Sequence, residues 1–203
     1  MSTNTLISRT LNNRYKISAH LGGGGFGDTY LANDLFLPEQ PICVVKHLKI
    51  QNLNHERATL VNKFFDKEAK FLYQLGKSHS QIPQLLAHFP EDGEFYLVQE
   101  FIDGYDLTKE IIPGVTRSEA EVSRLLIDIL EVLAFVHNKG IIHRDIKPQN
   151  LMRRRDGKIV LIDFGAVKEI GTLGANAQGQ SSSTVVIGIF GYMPPEQQNK
   201  YGM

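Results

Sequence analysis

The strongest constraint on the fold is a change in how apolar residues are spaced along the chain. Up to Leu48 they come in short runs: YKISAHL from Tyr15, TYLA from Thr29, and ICVVKHL from Ile42, which is rich in β-branched residues. The glycine cluster from Gly22 to Gly27 and a turn region around Pro38 and Pro41 separate these runs, which is the punctuation expected of strands. From about Arg57 to Leu75 the period turns helical, with Leu60, Phe64, Leu72 and Leu75 near one face and Gly76 placed to end the helix. EFYLVQEFI, from Glu94 to Ile102, reads as a strand closed by the Asp103-Gly104 turn.

After the Pro113-Gly114 break a second long helix is expected. Thr116 and Glu119 have the spacing of a capping box, and Val122, Leu125, Leu126, Ile129, Leu133 and Val136 keep helical period up to Gly140. Short strands are expected in KIVLID, between the Asp156-Gly157 turn and Gly165. From Gly171 to Ser183 the composition is polar, with Leu173 as the only large apolar residue, which predicts a mobile loop. The order predicts an α+β fold, a β-rich small lobe with one helix followed by an α-rich lobe.

Composition narrows the function classes. Lysine plus arginine and aspartate plus glutamate number 22 each, so net charge calls for neither nucleic acid nor an acidic membrane surface. The single cysteine, Cys43, allows no internal disulfide and no cysteine cluster for zinc, which favours a reducing cytoplasm. No window approaches the ~18 apolar residues of a membrane span, so a soluble chain is expected.

The chemistry starts in LGGGGFGDTY. Gly22, Gly24 and Gly27 have the GxGxxG spacing, in which missing side chains let backbone N–H groups approach phosphates. Alone the cluster fits a flexible hairpin equally well. TYLA after it reads as strand, whereas a dinucleotide fold requires a helix there. Lys46, among apolar residues in CVVKHL, needs an anionic partner if it faces a half-buried sheet, and Glu68, four residues from both Phe64 and Leu72 on the apolar helix face, can supply one. Taken singly, Lys46 fits an edge lysine reaching water and Glu68 the margin of the stripe.

The decisive stretch is IIHRDIKPQNLM, with DFG starting thirteen residues after Asn150. Phosphoryl transfer to a hydroxyl needs a carboxylate for the hydroxyl proton, cations on the moving group and oxygen ligands for magnesium, and this segment holds all of them. HRDIKPQN with DFG resembles the catalytic and metal-binding loops of eukaryotic-type serine/threonine protein kinases, and LGGGGFG and VVK fit the same family in the same order. Segments such as IPQLLAHF are similar to bacterial, especially cyanobacterial, members.

The resemblance implies a bilobal kinase fold, with an N-terminal extension over residues 1–13, an N-lobe over 14–101 and part of a C-lobe over 102–203. It implies ATP and Mg2+, with Asp145 as catalytic base, Lys147 on the γ-phosphate, and Asn150 and Asp163 as metal ligands. Lys46, paired with Glu68, would hold the α/β-phosphates under the glycine loop Gly22, Gly23, Gly24, Gly25, Phe26 and Gly27. Gln99 would be the gatekeeper, with the backbone of Glu100 and Ile102 facing adenine and Asp106 near the ribose. Leu21, Val44 and Met152 would sandwich the base, although core packing explains these three as well, and Thr29 stands where the family usually has valine. Lys147, two residues after the base, is similar to serine/threonine rather than tyrosine kinases. Arg144 implies a phosphorylated activation loop, with Ser181, Ser182, Ser183 or Thr184 accepting the phosphate.

Two departures bear on activity. In GIFGYMPPE, Ile189 replaces a threonine that usually bonds the catalytic aspartate and lysine. The chain also ends at Met203, seven residues beyond Glu196, so the family's remaining large-lobe helices are expected to be missing. Loss of one partner of a buried ion pair costs ~3–5 kcal/mol, and a weak C-lobe needing a partner chain is the expectation. The readings are therefore a non-specific serine/threonine kinase acting on protein substrates, a truncated and weakly active or inactive ATP-binding regulatory module, and a small-molecule phosphotransferase, from which Lys147 and GYMPPE argue away.

Overall fold

The computed structural model describes residues 6–24, 27–49 and 55–169. Gly25 and Phe26 lie outside these residues, as do Ser181 to Thr184, Ile189, Glu196 and every other expectation placed on 170–203. The chain divides into two compact units, Met1–Ser78 with Pro83–Ile102, and His79–Ile82 with Asp103–Met203.

The first unit is built on an antiparallel sheet of β1 (Thr10–Leu11), β2 (Tyr15–Gly24), β3 (Gly27–Asp34), β4 (Ile42–Leu48), β5 (Leu85–Glu91) and β6 (Glu94–Glu100), in the order β1-β2-β3-β4-β6-β5. Helix α1 (His55–Leu75) joins β4 to β5. Successive side chains of a strand point to opposite faces. Cys43 and Val45 of β4 accordingly enter a core with Leu6, Leu11, Tyr15, Ile17, Tyr30, Ala32, Tyr96 and Val98, while Val44 and Lys46 face the other way. Register carries that second face across the sheet, pairing Lys46 with Thr29 and Leu97, and Val44 with Leu31 and Gln99.

The second unit holds β7 (Gly104–Asp106), a 3-10 turn (Leu107–Glu110), helix α2 (Glu119–Asn138), β8 (Ile141–Ile142), β9 (Leu151–Arg154), β10 (Ile159–Leu161) and β11 (Lys168–Glu169). Its strands form a three-stranded sheet, β10-β9-β7, and a pair, β11-β8. Val132 and Val136 of α2 are buried, as are Leu151, Ile159, Val160, Leu161 and Phe164. Gly140, at φ +71°, takes the left-handed position just past the helix end, where its N–H donates to His137 O.

The α+β expectation holds, and several local readings are corrected. The capping box is Ser118 with Glu121 rather than Thr116 with Glu119: Ser118 Oγ accepts from the Glu121 N–H while Glu121 Oε2 accepts from the Ser118 N–H. The same spacing recurs two residues downstream, and the later copy starts the helix. The glycines do not break the sheet. β2 runs through Gly24, pairing Gly22 with Thr29 and Gly23 with Asp28. A Cβ on Gly27 would stand 2.1 Å from the His47 carbonyl oxygen, so the close approach of β3 to β4 requires glycine there. The strand expected to reach Ile102 stops at Glu100, where its pairing with β4 ends at Cys43. Residues 6–13, read as an extension, contribute β1 and bury Leu6 and Leu11. Val122 and Leu126, expected on the core stripe of α2, are exposed, and Val132 takes that role.

Candidate active site

Lys46 stands near the middle of β4 with strands on both sides, and Glu68 lies on the buried stripe of α1 with Phe65, Ala69 and Leu72. The i, i+3, i+4, i+7 spacing of residues 65, 68, 69 and 72 puts the carboxylate on the face that packs inward. Lys46 Nζ donates to Glu68 Oε1 in an ion pair. A buried carboxylate is stable only when paired, and the two oddities of the sequence account for each other. On the same sheet face Gln99 is buried, and its Oε1 has no hydrogen-bond partner among the described residues. Leu21 is exposed on β2, Thr29 and Val44 are half-buried, Ile102 is buried, and the Glu100 N–H donates to Gln84 O.

In the second unit the motif residues converge within a few positions. Lys147 Nζ donates to Asp145 Oδ2 at 2.6 Å, and Asn150 Nδ2 donates to both Asp145 O and Asp145 Oδ2 at 2.8 Å. Pro148–Asn150 form a single 3-10 turn, which brings Asn150 back over Asp145 and buries it. The Asp145 carboxylate is thus held by an ammonium and an amide while remaining partly open.

His143, which the sequence reading passed over as part of the motif string, fixes the backbone here. Its Nδ1 accepts from the Asp145 N–H at 3.4 Å and its Nε2 lies 3.2 Å from Ile162 O. That pattern requires the neutral tautomer with the proton on Nε2. The ring also packs edge-on against the buried Phe164, at 5.0 Å between centroids. Arg144, at φ +67°, donates from Nε to Ala166 O at 2.7 Å.

Asp163 also sits in the left-handed region, at φ +65°, and its carboxylate accepts from the Gly165 N–H. Such a conformation costs roughly 1–3 kcal/mol for a residue with a side chain, so the flanking bonds must hold it. The Ile162 N–H donates to Asn150 O at 2.9 Å, which brings the residue before Asp163 against Asn150.

The donor set suits magnesium. Both Nδ2 bonds of Asn150 run to Asp145, so the atom its amide can offer an ion is the oxygen Oδ1, a hard acceptor, and Asp163 adds a carboxylate. Among the described residues no group of three His, Cys, Asp or Glu converges to hold a metal by protein ligands alone. One amide, one carboxylate and ligand oxygens is the arrangement expected for an ion bound together with phosphates.

Asp106 and Met152 are opposed directly in the β7-β9 register. Asp106 caps the following turn, its Oδ1 accepting from the Thr108 N–H and hydroxyl. Glu110 at the end of that turn grips Arg153 of β9, and this hydrogen bond holds the Glu110 carboxyl below the usual range. Among the described residues no helix is long and apolar enough to cross a membrane.

Comparisons with known proteins agree with this chemistry. Residues 15–203 match the family described as "Protein kinase domain". The chain is 48% identical over 193 residues to the serine/threonine-protein kinase PknA of Nostoc sp., covering 94% of this chain and 34% of that protein. It is 49% identical over 191 residues to serine/threonine-protein kinase C of Synechocystis sp., covering 93% and 36%. A calcium/calmodulin-dependent protein kinase type 1 of Caenorhabditis elegans is 31% identical over 198 residues, covering 95% and 52%. The chain spans about a third of the length of the two cyanobacterial relatives.

Proposed function

Because the chain belongs to the protein kinase domain family, we propose that it transfers the γ-phosphoryl group of ATP to serine and threonine hydroxyls of proteins. The observation that carries this reading is the Asp145 carboxylate, held at 2.6 Å by Lys147 and at 2.8 Å by Asn150. A carboxylate so fixed is poised to take a proton from an alcohol at the moment of attack.

Asp145 orients the incoming hydroxyl and accepts its proton. Lys147, already beside that carboxylate, meets the negative charge on the γ-phosphoryl oxygens as the bond to the leaving oxygen lengthens. Lys46 addresses the α/β-phosphates, and Glu68 keeps its ammonium extended. The backbone from Gly22 to Gly27 approaches the phosphates, the main chain of Glu100 and Ile102 meets the adenine, and Leu21, Thr29, Val44 and Met152 supply apolar contact to the base. Asp106 takes the ribose hydroxyls. Asn150 and Asp163 hold magnesium, which when bound neutralises phosphate charge. In domain terms, residues 14–101 form the nucleotide-holding lobe and residues 102–203 part of the lobe that carries the transfer chemistry.

A cytoplasmic setting suits Cys43, whose thiol burial pushes up to about 12, far from reactive thiolate. The test is transfer of label from γ-labelled ATP to a general protein substrate, followed by phosphoamino-acid analysis. The wild type is expected to label serine and threonine, and Asp145→Asn to lose about 10²–10⁴ of the rate. Equal labelling by both proteins, or none by the wild type, contradicts the reading.

A further inference from the structure

We propose that Gln81 is a positioning residue for Asp163, acting through the backbone of β10; this inference rests on the phosphoryl-transfer reading above. Among the described residues β10 is an edge strand whose single sheet neighbour is β9. Its outer backbone groups are taken up by Gln81. The Gln81 main-chain oxygen accepts from the Leu161 N–H at 2.9 Å, and its side-chain Nε2 donates to Ile159 O at 2.8 Å and to Asp128 O of α2 at 2.9 Å. Both amide hydrogens are spent, and the residue is 3% exposed. Gln81 thus acts as a one-residue extension of the sheet that also ties β10 to α2.

What this grip controls lies two residues further on. Residues 159 and 161 are held by Gln81, while residue 162 is held by Asn150 and His143 of the catalytic loop. The strand leading into Asp163 is therefore fixed on both edges, and Asp163 follows it in a left-handed conformation that persists only while its surroundings enforce it. Asn150 and Asp163 are the proposed magnesium ligands. Slack in β10 moves one ligand relative to the other, and the loss falls on magnesium-dependent binding rather than on the nucleotide contacts of the other residues. A long amide, with two donors at its tip, suits this task. An apolar side chain of equal size leaves the buried Ile159 carbonyl and the part-buried Asp128 carbonyl without these donors.

The experiment compares ADP affinity with magnesium and with chelator in the full chain, for the wild type and Gln81→Met. The ratio of the two dissociation constants is expected to shrink about tenfold in the variant, the low end for residues that orient metal ligands, with the chelator value unchanged. In an Asp163→Asn background Gln81→Met is expected to add nothing, because both changes act on one ligand. An unchanged ratio in folded Gln81→Met, or equal weakening with and without magnesium, overturns the proposal. Should Gln81→Met fail to fold, amide hydrogen exchange of the wild type decides. Protection of the Leu161 amide that rises with magnesium and ADP, but not with ADP and chelator, supports the proposal, and no such difference overturns it. A wild type that binds no nucleotide brings down the functional reading and this inference together; a binding wild type with an indifferent variant brings down this inference alone.

Discussion

Two lysine–carboxylate pairs lie among the motif residues, and they are built in opposite ways. Lys46 and Glu68 are 22 residues apart and meet because β4 turns even-numbered side chains toward one face and α1 turns every third or fourth residue inward. Lys147 and Asp145 are two residues apart and meet because Lys147 is in extended backbone, where side chains two positions apart fall on one side, while the proline-led turn that follows brings Asn150 back onto the same carboxylate. The first pair depends on tertiary structure on both sides. The second depends on a segment of six residues and the His143 anchor. The side-chain exposures of 6% for Glu68 and 13% for Asp145 sharpen the difference. Breaking the first pair leaves a carboxylate in the interior, whereas breaking the second leaves one still bonded to Asn150 and in reach of water. The first should register in stability as well as binding, and the second in rate alone.

The largest expected effect tests the local pair. Lys147→Ala is expected to lower kcat by about 10²–10³ with little change in the thermal midpoint, the scale for loss of one cation or donor at developing charge. A large drop in the midpoint instead would show that the loop pair carries structure, and the contrast with Lys46 would vanish.

The long-range pair comes next. Lys46→Met takes the ammonium away from the buried Glu68 carboxylate and is expected to destabilise the first unit by ~3 kcal/mol. Glu68→Gln is expected to cost less, because an ammonium on a flexible stem can swing to solvent. Denaturant titration of both variants ranks them, and the reverse order would break the argument.

The opposite face of β4 sets a smaller, pH-dependent effect. His47 is buried and stacked on Tyr96 at 4.9 Å, and among the described residues neither ring nitrogen has a hydrogen-bond partner. Burial pushes its pKa below 6.5; Glu94, 3.6 Å away, and Asp28 pull it back up, while Lys49 and Arg9 push it further down. The folded state therefore resists protonation, and the unfolded chain takes the proton first. Stability from this group is complete above pH 6.5 and falls below it, by at most ~1.4 kcal/mol per pH unit. His47→Phe keeps a ring on Tyr96 and is expected to flatten that slope; identical slopes in the two proteins would exclude His47 as its source.

The smallest effect separates the two candidate caps of α2. Ser118→Ala is expected to cost about 1 kcal/mol and Thr116→Ala close to nothing, read as shifts in the unfolding midpoint.

The same contrast explains what could be read from the sequence. The nearness of Asp145, Lys147 and Asn150 is legible because they lie within six residues, so their spacing in the chain is nearly their spacing in space; Asp163 is singled out only through the motif resemblance, since the β9-β10 hairpin is what brings Ile162 against Asn150. Lys46 and Glu68 were legible as two misfits, a cation in an apolar strand and an anion on an apolar stripe, each the answer to the other. β4 was legible to the residue because Val44 and Val45 sit in an unbroken apolar run. β5 was not, since LLAHFPE has no β-branched residue and carries Pro90, which is tolerated because the strand lies at the sheet edge. β1 is two residues long and has no pattern to find. Gln81 was invisible for a different reason: its partners are backbone atoms of Asp128, Ile159 and Leu161, and no side-chain pattern announces them.

The proposed function requires Lys46 and Asp163 to act on the same nucleotide. Calorimetric titration with ADP and magnesium measures this directly, for the wild type, Lys46→Met and Asp163→Asn. The prediction is one nucleotide bound per chain, with each substitution weakening the affinity about tenfold or more. Full-strength binding by either variant would contradict it.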